Sequence, residues 1–221
     1  MYDIVFISYQ EPSADINYAT LKARFPYAKR VHGVKGIHQA HIEAAKKAVT
    51  DMVWIIDADA ILFDSFNFSY IPSVDDQNTV HVWRAKNPVN DLVYGNGGIK
   101  LFPRLATVNM DTTTNDMSTS ISDKFKVVDE ISNIAAFNVD EFSTWRSAFR
   151  ECAKLSSKTI KGQVDDETNE RLRIWTTVGK DKPFGEYCIN GARAGMEFGL
   201  SNSSDLNLIN NFDWLKEQFN E

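Results

Sequence analysis

The feature that most constrains the fold is residues 52–63, where two acidic side chains lie between two apolar runs. Residues 52–56 are all apolar, as is typical of a strand that is buried on both faces of a sheet. Asp57 and Asp59 follow this run directly, and residues 61–63 are apolar again. Because an unpaired carboxylate is costly to bury, such groups are usually paired or bind a metal ion. In open α/β sheets, ligands bind at the carboxyl ends of the strands, which is where both aspartates lie.

The spacing of the two aspartates suits a shared metal ion. Residues i and i+2 of an extended chain point to the same side, so Asp57 and Asp59 could share one hard cation such as Mg²⁺ or Mn²⁺. Such a cation prefers oxygen ligands and keeps open positions for substrate phosphates. The alternative is a turn or a helix cap, because Asp is common where strands end.

Two segments of the chain resemble a known family. Residues 54–59, Trp-Ile-Ile-Asp-Ala-Asp, and residues 94–102, Tyr-Gly-Asn-Gly-Gly-Ile-Lys-Leu-Phe, follow a first strand at residues 2–8. This arrangement is similar to the GT-A glycosyltransferases, which use nucleotide sugars and carry a DxD motif, and it most resembles the small glycosyltransferases of tailed phages. The resemblance covers residues 1–104. It implies an α/β fold with a GT-A (Rossmann-like) mixed sheet flanked by helices, and a mainly helical C-terminal part.

The resemblance also implies a division of the chain and a set of donor-binding residues. Residues 1–104 are expected to form the nucleotide-sugar-binding α/β core, and residues 105–221 the acceptor-side, mainly helical part of the same domain. The candidate donor-binding residues lie in loops after strands and in glycine-rich stretches; they are Ser8, Tyr9, Gln10, Lys35, His38, Asp57, Gly97, Gly98 and Lys100. The alternatives are solvated loops at residues 8–12 and 32–36 and a hairpin turn at residues 95–98.

Acidic residues after the core supply the candidates for a catalytic base. An inverting glycosyltransferase needs a carboxylate on the acceptor hydroxyl. Asp129 and Glu130 lie at the end of a strand-like run at residues 125–131, and Asp91 is a third candidate. A retaining enzyme does not need that base in the same place, so both stereochemical outcomes stay open. Many GT-A enzymes add a histidine ligand from the C-terminal part. All four histidines here lie at or before position 81, which leaves the third metal ligand open.

Composition is typical of a globular protein and limits the partners. The chain of 221 residues is long enough for one large domain, and no apolar run approaches the length of a membrane span. Asp3 interrupts what would be a signal-peptide core, so we expect a cytoplasmic protein with no membrane partner, in the host cytoplasm if it is phage-encoded. The two cysteines, Cys152 and Cys188, are expected to be reduced and structural.

The charge distribution bears on a nucleic-acid partner. The net charge of −6 opposes a large non-specific nucleic-acid footprint. Residues 1–104 carry 11 basic and 11 acidic side chains, so the acidic excess lies in residues 105–221. A locally basic face in the N-terminal half, with Arg84, Lys86, Lys100 and Arg104, is therefore compatible with a few phosphate contacts.

These observations favour a metal-dependent glycosyltransferase that moves glucose or a pentose such as arabinose from a nucleotide-diphosphate sugar, expected to be a UDP-sugar, to a hydroxyl. The phage resemblance implies hydroxymethylcytosine in phage DNA as the acceptor. A surface glycan or a protein is the alternative acceptor, and a non-catalytic nucleotide- or glycan-binding module is the non-enzyme alternative. A nucleotidyltransferase is disfavoured, because residues 8–12, Ser-Tyr-Gln-Glu-Pro, lack a glycine-rich basic signature. The oligomeric state stays open.

Periodicity predicts the individual elements. The predicted strands are residues 3–8, 28–31, 52–56, 61–63, 79–83, 99–102 and 125–131. The predicted helices are residues 15–24, 37–49, 140–155, 167–178, 183–196 and 205–219, with Asp140 as the expected N-cap of the third.

Overall fold

The computed structural model of the chain describes residues 1–113, 117–158, 163–202 and 206–221, apart from the side chain of Thr119. The chain divides into two compact units. The first consists of Met1–Lys86 and Val93–Ala136, and the second of Asn87–Leu92 and Phe137–Glu221. In the described part of the chain, no helix is both long and apolar enough to cross a membrane.

The first unit is an α/β layer structure. Its strands are β1 (Asp3–Ser8), β2 (Lys29–His32), β3 (Met52–Asp57), β4 (Ala60–Leu62), β5 (Val80–Lys86), β6 (Val93–Pro103) and β7 (Phe125–Ala135). Its helices are α1 (Ala14–Arg24), α2 (Ile37–Lys47), α3 (Arg104–Val108) and α4 (Met117–Ile121), with a 3₁₀ turn at Val74–Asp76.

The strands form one mixed sheet in the order β2-β1-β3-β6-β5-β7-β4. Strands β2, β1 and β3 are parallel, and β6 runs antiparallel to both β3 and β5. Strand β7 is parallel to β5, and β4 closes the sheet antiparallel to β7. The predicted fold class, an α/β mixed sheet flanked by helices with a mainly helical C-terminal part, is therefore confirmed.

The sheet is strongly curled. Strands β3 and β4 are joined by only two residues, Ala58 and Asp59, yet three strands lie between them in the sheet. A flat sheet would separate them by roughly 19 Å, whereas the connection from Asp57 to Ala60 spans at most about 10 Å. The sheet must therefore bend back, which brings the end of β7 to the turn that contains the aspartates.

Bulges on both sides of β5 accompany this bend. Between the pairs Val82–Lys100 and Arg84–Gly95, one residue of β5, Trp83, faces residues 96–99 of β6. On the other side of β5, the pairing passes from Trp83–Val128 directly to Arg84–Ile131, so residues 129 and 130 of β7 are extra. Bulges bend a strand and increase its local twist, and they often lie next to active sites.

Strand β3 is buried on both faces of the sheet, as the apolar run at residues 52–56 predicts. Alternate residues of the central strands pack into two cores, with Ile4, Phe6, Trp54, Ile56 and Trp83 on the face toward α1, and Val5, Ile7, Val53, Ile55 and Val82 on the face toward α2. The first core is rich in aromatic rings. Trp54, for example, packs against Trp83 with ring centroids 4.5 Å apart. This rigid base supports the end of β3.

The second unit is helical. It holds α5 (Glu141–Ser156), α6 (Asp165–Thr177), α7 (Gly185–Ser201) and α8 (Phe212–Asn220), with a 3₁₀ turn at Asn207–Asn210. Helix α5 begins as predicted, because the Asp140 carboxylate accepts a hydrogen bond from the Ser143 backbone N–H.

Helix α7 carries a glycine at every fourth position where it packs on α5. A Cβ on Gly191 or Gly195 would clash with the backbone carbonyl of Trp145 or Phe149, respectively, and one on Gly199 would clash with α5 in the same way. Only glycine allows the two helix backbones to approach so closely.

Most predicted elements are confirmed, with two corrections. The alternative of a hairpin turn at residues 95–98 is also ruled out, since β6 runs through the glycines from Val93 to Pro103. A single helix at residues 205–219 is wrong. Its first position lies outside the described residues, and the rest is a 3₁₀ turn followed by α8, which the Asn211 side chain caps. Strand β7 continues to Ala135, so Asp129 and Glu130 lie within it, at a bulge.

The predicted division of labour between residues 1–104 and 105–221 stays a prediction. The compact units follow the packing of the chain, which places α3, α4 and β7 with the sheet.

Candidate functional site

The candidate site is built around the turn between β3 and β4. Asp57 is the last residue of β3, and Ala58 and Asp59 form the turn. Two contacts from distant parts of the first unit hold this turn in place. The Asn17 side-chain Nδ2 of α1 donates to the Ala58 carbonyl at 2.8 Å, and the Ala136 backbone N–H donates to the Asp59 carbonyl at 2.7 Å. The two carboxylates are therefore carried on a fixed backbone.

Lys100 is the cationic partner of Asp57. It lies opposite Ile55 in the β3–β6 ladder, so its side chain is on the same face of the sheet as that of Asp57. Its Nζ lies 2.6 Å from Asp57 Oδ1 and donates to the Gly97 carbonyl at the same distance. The Lys100 side chain is 4% exposed and that of Asp57 is 30% exposed, so the ammonium is buried and the carboxylate faces outward.

Negative charge is concentrated at this turn. Burial, and next the nearby charges of Asp57 and Glu11, raise the pKa of Asp59 to about 6, although the charge of Lys100 opposes this shift. The protein thus holds carboxylates together at a free-energy cost that Lys100 offsets only in part. A divalent cation would remove this cost, so the donor set fits the predicted Mg²⁺ or Mn²⁺.

A third His, Cys, Asp or Glu ligand for such an ion is not found in the part of the chain that the structure describes. Among the described residues, no three His, Cys, Asp or Glu side chains are grouped to hold a metal ion. An ion held by Asp57 and Asp59 would therefore take its other ligands from phosphate or water oxygens, as Mg²⁺ commonly does.

His41 of α2 is a buried residue of this site that sequence reasoning did not single out. Its Nδ1 lies 2.8 Å from the Ile37 carbonyl, and the side chain is fully buried. Burial, and next the charge of Lys100, hold the pKa of His41 well below its ordinary value. The imidazole is therefore neutral near neutral pH and adds no second positive charge beside Lys100.

The glycine-rich stretch forms the bulge of β6 next to Lys100. Gly97 has a φ of +79°, a conformation that residues with a side chain rarely adopt. Gly98 has an ordinary φ, but a Cβ there would lie 3.1 Å from Asn133 Nδ2 and 3.3 Å from Asn96 Oδ1. The backbone can follow this path because neither Gly97 nor Gly98 has a side chain.

Two of the predicted catalytic residues, Asp129 and Glu130, lie together at the β7 bulge. The Asp129 side chain is 90% exposed and forms an ion pair of 2.8 Å with Arg84. Glu130 is also exposed, and its Oε2 accepts a hydrogen bond of 3.0 Å from the indole Nε1 of Trp83, which is buried. Because β5 separates β7 from β6, the backbone of these residues lies roughly 10 Å from the glycine bulge.

The third catalytic candidate, Asp91, belongs to the second unit. It lies in the Asn87–Leu92 segment, where its backbone N–H donates to the Asn87 carbonyl at 3.1 Å. Its φ of +59° is uncommon for a residue with a side chain.

The candidates after β1 lie at the neighbouring strand end. Ser8 pairs with His32 in the sheet, and its Oγ is within hydrogen-bond distance of His32 Nδ1 and accepts from Arg30 Nε. The Ser8 hydroxyl is therefore already engaged by the protein, while Tyr9 and Gln10 beyond it are exposed.

A tight contact brings the loop before α2 to the same strand end. The Gly33 backbone N–H donates to the Ser8 carbonyl at 3.0 Å. Lys35, in this loop, is exposed, and His38 lies half-buried in the first turn of α2. The roles of these residues toward a nucleotide stay predictions.

Two further residues of the site carried no signal in the sequence analysis. Asn17 holds the Asp57–Asp59 turn from α1. Asn133 lies fully buried in β7 next to Gly98. Each is a single polar residue in an ordinary segment, and only the folded sheet brings it to the aspartates.

Comparison with known proteins finds a likeness among solved structures only. No family model matches the chain, and no curated protein matches it. Among solved structures, it is similar to a glycosyltransferase involved in the glycosylation of the major capsid of PBCV-1, with 13% sequence identity and a TM-score of 0.35. The match covers 57% of this chain and 81% of that chain. A similarity at this level indicates neither substrate nor reaction.

Proposed function

We propose that this protein is a metal-dependent glycosyltransferase that uses a nucleotide-diphosphate sugar. The observation that carries the proposal is the pair of carboxylates, Asp57 and Asp59, at the carboxyl end of a central strand, with the buried Lys100 beside them. The expected donor is a UDP-sugar, and the expected sugar is glucose or a pentose such as arabinose. The sequence resemblance to DxD-containing GT-A enzymes supports the same proposal.

The residues of the turn would bind and orient the donor diphosphate. A Mg²⁺ or Mn²⁺ held by Asp57 and Asp59 would stabilise the negative charge that develops on the leaving diphosphate. Lys100 would add a fixed positive charge to the same phosphates, and its contact with the Gly97 carbonyl holds it in place. Because Lys100 is buried, its charge is screened less than that of a surface lysine.

Glu130 is the base that the geometry favours for an inverting reaction. A base has to be held in one orientation, and the Trp83 indole N–H fixes the Glu130 carboxylate from a buried position. Asp129 is instead held by Arg84 on the exposed surface. In this proposal Glu130 takes the proton of the acceptor hydroxyl, Asp129 is the second candidate and Asp91 is the third.

The proposed acceptor is hydroxymethylcytosine in DNA. Arg84 and Lys86 on β5 lie in the unit that carries the site, and they suit a small number of phosphate contacts. Arg104 does not lie beside the aspartates as expected, because it follows Pro103, which pairs with Met52 at the opposite end of β3 from Asp57. With a net charge of −6, such binding is expected to be weak and salt-sensitive. Three or four contacts on duplex DNA give a log–log salt slope of about −3.

A mass-spectrometric assay tests the acceptor. The protein is incubated with Mn²⁺, a panel of UDP- and GDP-sugars, and DNA that contains either hydroxymethylcytosine or cytosine, and the DNA is then digested to nucleosides. A sugar adduct on hydroxymethylcytosine alone is expected. If the protein hydrolyses a donor but leaves hydroxymethylated DNA unmodified, the acceptor is a glycan or a protein. A protein that binds a donor but never releases its nucleotide is a binding module.

A further inference from the structure

Asn133 carries an amide group that the protein leaves unsatisfied. The side chain is fully buried in β7, and its Oδ1 accepts a hydrogen bond of 2.7 Å from Ser132 Oγ. Its Nδ2 is also buried and has no hydrogen-bond partner in the part of the chain that the structure describes. A buried polar group without a partner lowers stability and calls for an explanation.

The unsatisfied amide lies at the candidate site. Asn133 pairs with Leu62 of β4, two residues beyond Ala60, at which the Asp57–Asp59 turn ends. A Cβ on Gly98 would lie 3.1 Å from Asn133 Nδ2 and 3.7 Å from Ala60 Cβ. The amide therefore faces the glycine bulge, close to the start of β4.

The neighbouring groups do not take this donor. The Gly98 backbone N–H is itself a donor, and it is bonded to Asn96 Oδ1 at 2.9 Å. The Gly97 carbonyl is engaged by Lys100. Among the described residues, the Asn133 amide N–H thus has no acceptor beside Gly98, a position with no side chain, and a ligand oxygen is the partner that this arrangement lacks.

We propose that the buried Asn133 amide N–H, facing Gly98 beside the Asp57–Asp59 turn, binds a hydroxyl of the donor sugar. This assignment rests on the proposed function. The charged groups, Asp57 with Asp59 and Lys100, suit the diphosphate, whereas a neutral amide suits a neutral hydroxyl. Asn133 is then a specificity-determining residue, because a sugar that lacks the matching hydroxyl leaves the amide unpaired.

The test compares Asn133→Leu with the wild-type protein. Leucine has a similar size and no amide, and Ser132 Oγ keeps the Arg84 carbonyl as an acceptor at 3.3 Å. Isothermal titration calorimetry with Mn²⁺ measures the Kd of UDP and of UDP-glucose, and the rest of the UDP-sugar panel follows. For the UDP-sugar that the wild-type protein binds best, the Kd is expected to rise about tenfold in the variant, with the Kd of UDP unchanged.

The Tm of the ligand-free Asn133→Leu protein distinguishes a ligand-binding role of Asn133 from a purely structural one, because a purely structural role predicts a lower Tm. Because the variant removes a buried unsatisfied group, the Tm of the ligand-free protein is expected to stay the same or rise. Thr79→Val is the matched control, since the Thr79 Oγ1 is also buried and without a partner among the described residues, at the opposite end of β5. It is expected to leave both Kd values unchanged.

The outcomes separate this assignment from the proposed function. If the wild-type protein binds a UDP-sugar and Asn133→Leu binds it equally well, the assignment is wrong and the proposed function stands. If Asn133→Leu lowers the Tm and raises the Kd of UDP and of the UDP-sugar equally, Asn133 has a structural role, and the assignment is also overturned. If the wild-type protein binds no nucleotide and no sugar nucleotide, the proposed function fails and the assignment fails with it.

Discussion

Replacing Asp59 with asparagine should stabilise the metal-free protein at high pH and abolish its activity. The carboxyl has a pKa of about 6 in the folded protein and 3.8 as an isolated group, with burial as the largest cause. Because the pKa of Asp59 is raised in the folded protein, the stability that this carboxyl contributes is fully present below about pH 4. That stability is lost as the pH rises through about 6. Asparagine does not titrate and avoids this loss.

The structure sets the size of the effect. The shift of about two pKa units corresponds to about 3 kcal/mol at 1.36 kcal/mol per unit. Because Asp59 is partly exposed, solvent screening reduces the expected gain to about 1–2 kcal/mol above pH 7. Asp59→Asn should therefore match the wild-type protein near pH 4 and exceed it increasingly up to pH 7.

Urea denaturation in EDTA from pH 4 to 8, followed by circular dichroism, measures this difference. Asp64→Asn, at an exposed position of the same unit, is the matched control and should leave the pH profile unchanged. With Mn²⁺ and UDP at 100 times their Kd, binding should stabilise only the wild-type protein, by about 2.7 kcal/mol. A less stable Asp59→Asn at pH 8 in EDTA refutes the electrostatic reasoning, and full activity of the variant in EDTA refutes the metal site.

Three further substitutions test the surroundings of the site and the helical unit. Gly98→Val should raise the donor KM or abolish turnover more than it lowers the Tm, because the new side chain meets Asn133; a loss of Tm alone would mean that the bulge is only structural. Trp83→Phe keeps the buried ring but removes the N–H that holds Glu130, so steady-state kinetics should show a lower kcat with little change in KM; an unchanged kcat contradicts the role of Glu130. Gly195→Ala should lower the free energy of unfolding by about 1–3 kcal/mol, since its Cβ meets the backbone of α5, and urea denaturation with unchanged stability would contradict that packing.

The position of the aspartates could be predicted from the sequence because its signal is local. An apolar run that ends in Asp57 and Asp59 specifies a buried strand with polar groups at its end, whatever the rest of the chain does. The pairing of Lys100 with Asp57 is harder to predict from the sequence, because it depends on the register of β6 against β3. The glycines at positions 95, 97 and 98 indicate an unusual backbone conformation already in the sequence. Their position inside strand β6 depends on the bulge opposite Trp83, which the sequence does not reveal.

The rest of the site depends on the curl of the sheet, which no local pattern encodes. Asn133 reaches Gly98 only because β4 folds back onto the end of β7. Asp129 and Glu130 were expected at a strand end, but they lie at a bulge whose position depends on the pairing of β7 with β5. The glycines at positions 191, 195 and 199 are an exception, because their fourfold spacing is visible in the sequence and indicates a close helix contact.

The most direct test of the central claim is nucleotide release from a panel of UDP- and GDP-sugars, measured with Mn²⁺ and then with excess EDTA. The proposed function predicts release from at least one sugar nucleotide, its loss in EDTA and its recovery when Mn²⁺ is restored. Asp57→Asn and Asp59→Asn, folded as judged by circular dichroism, should lose it by orders of magnitude. Release that persists in EDTA and in both variants, or no release from any donor, would contradict a glycosyltransferase that acts through these two carboxylates.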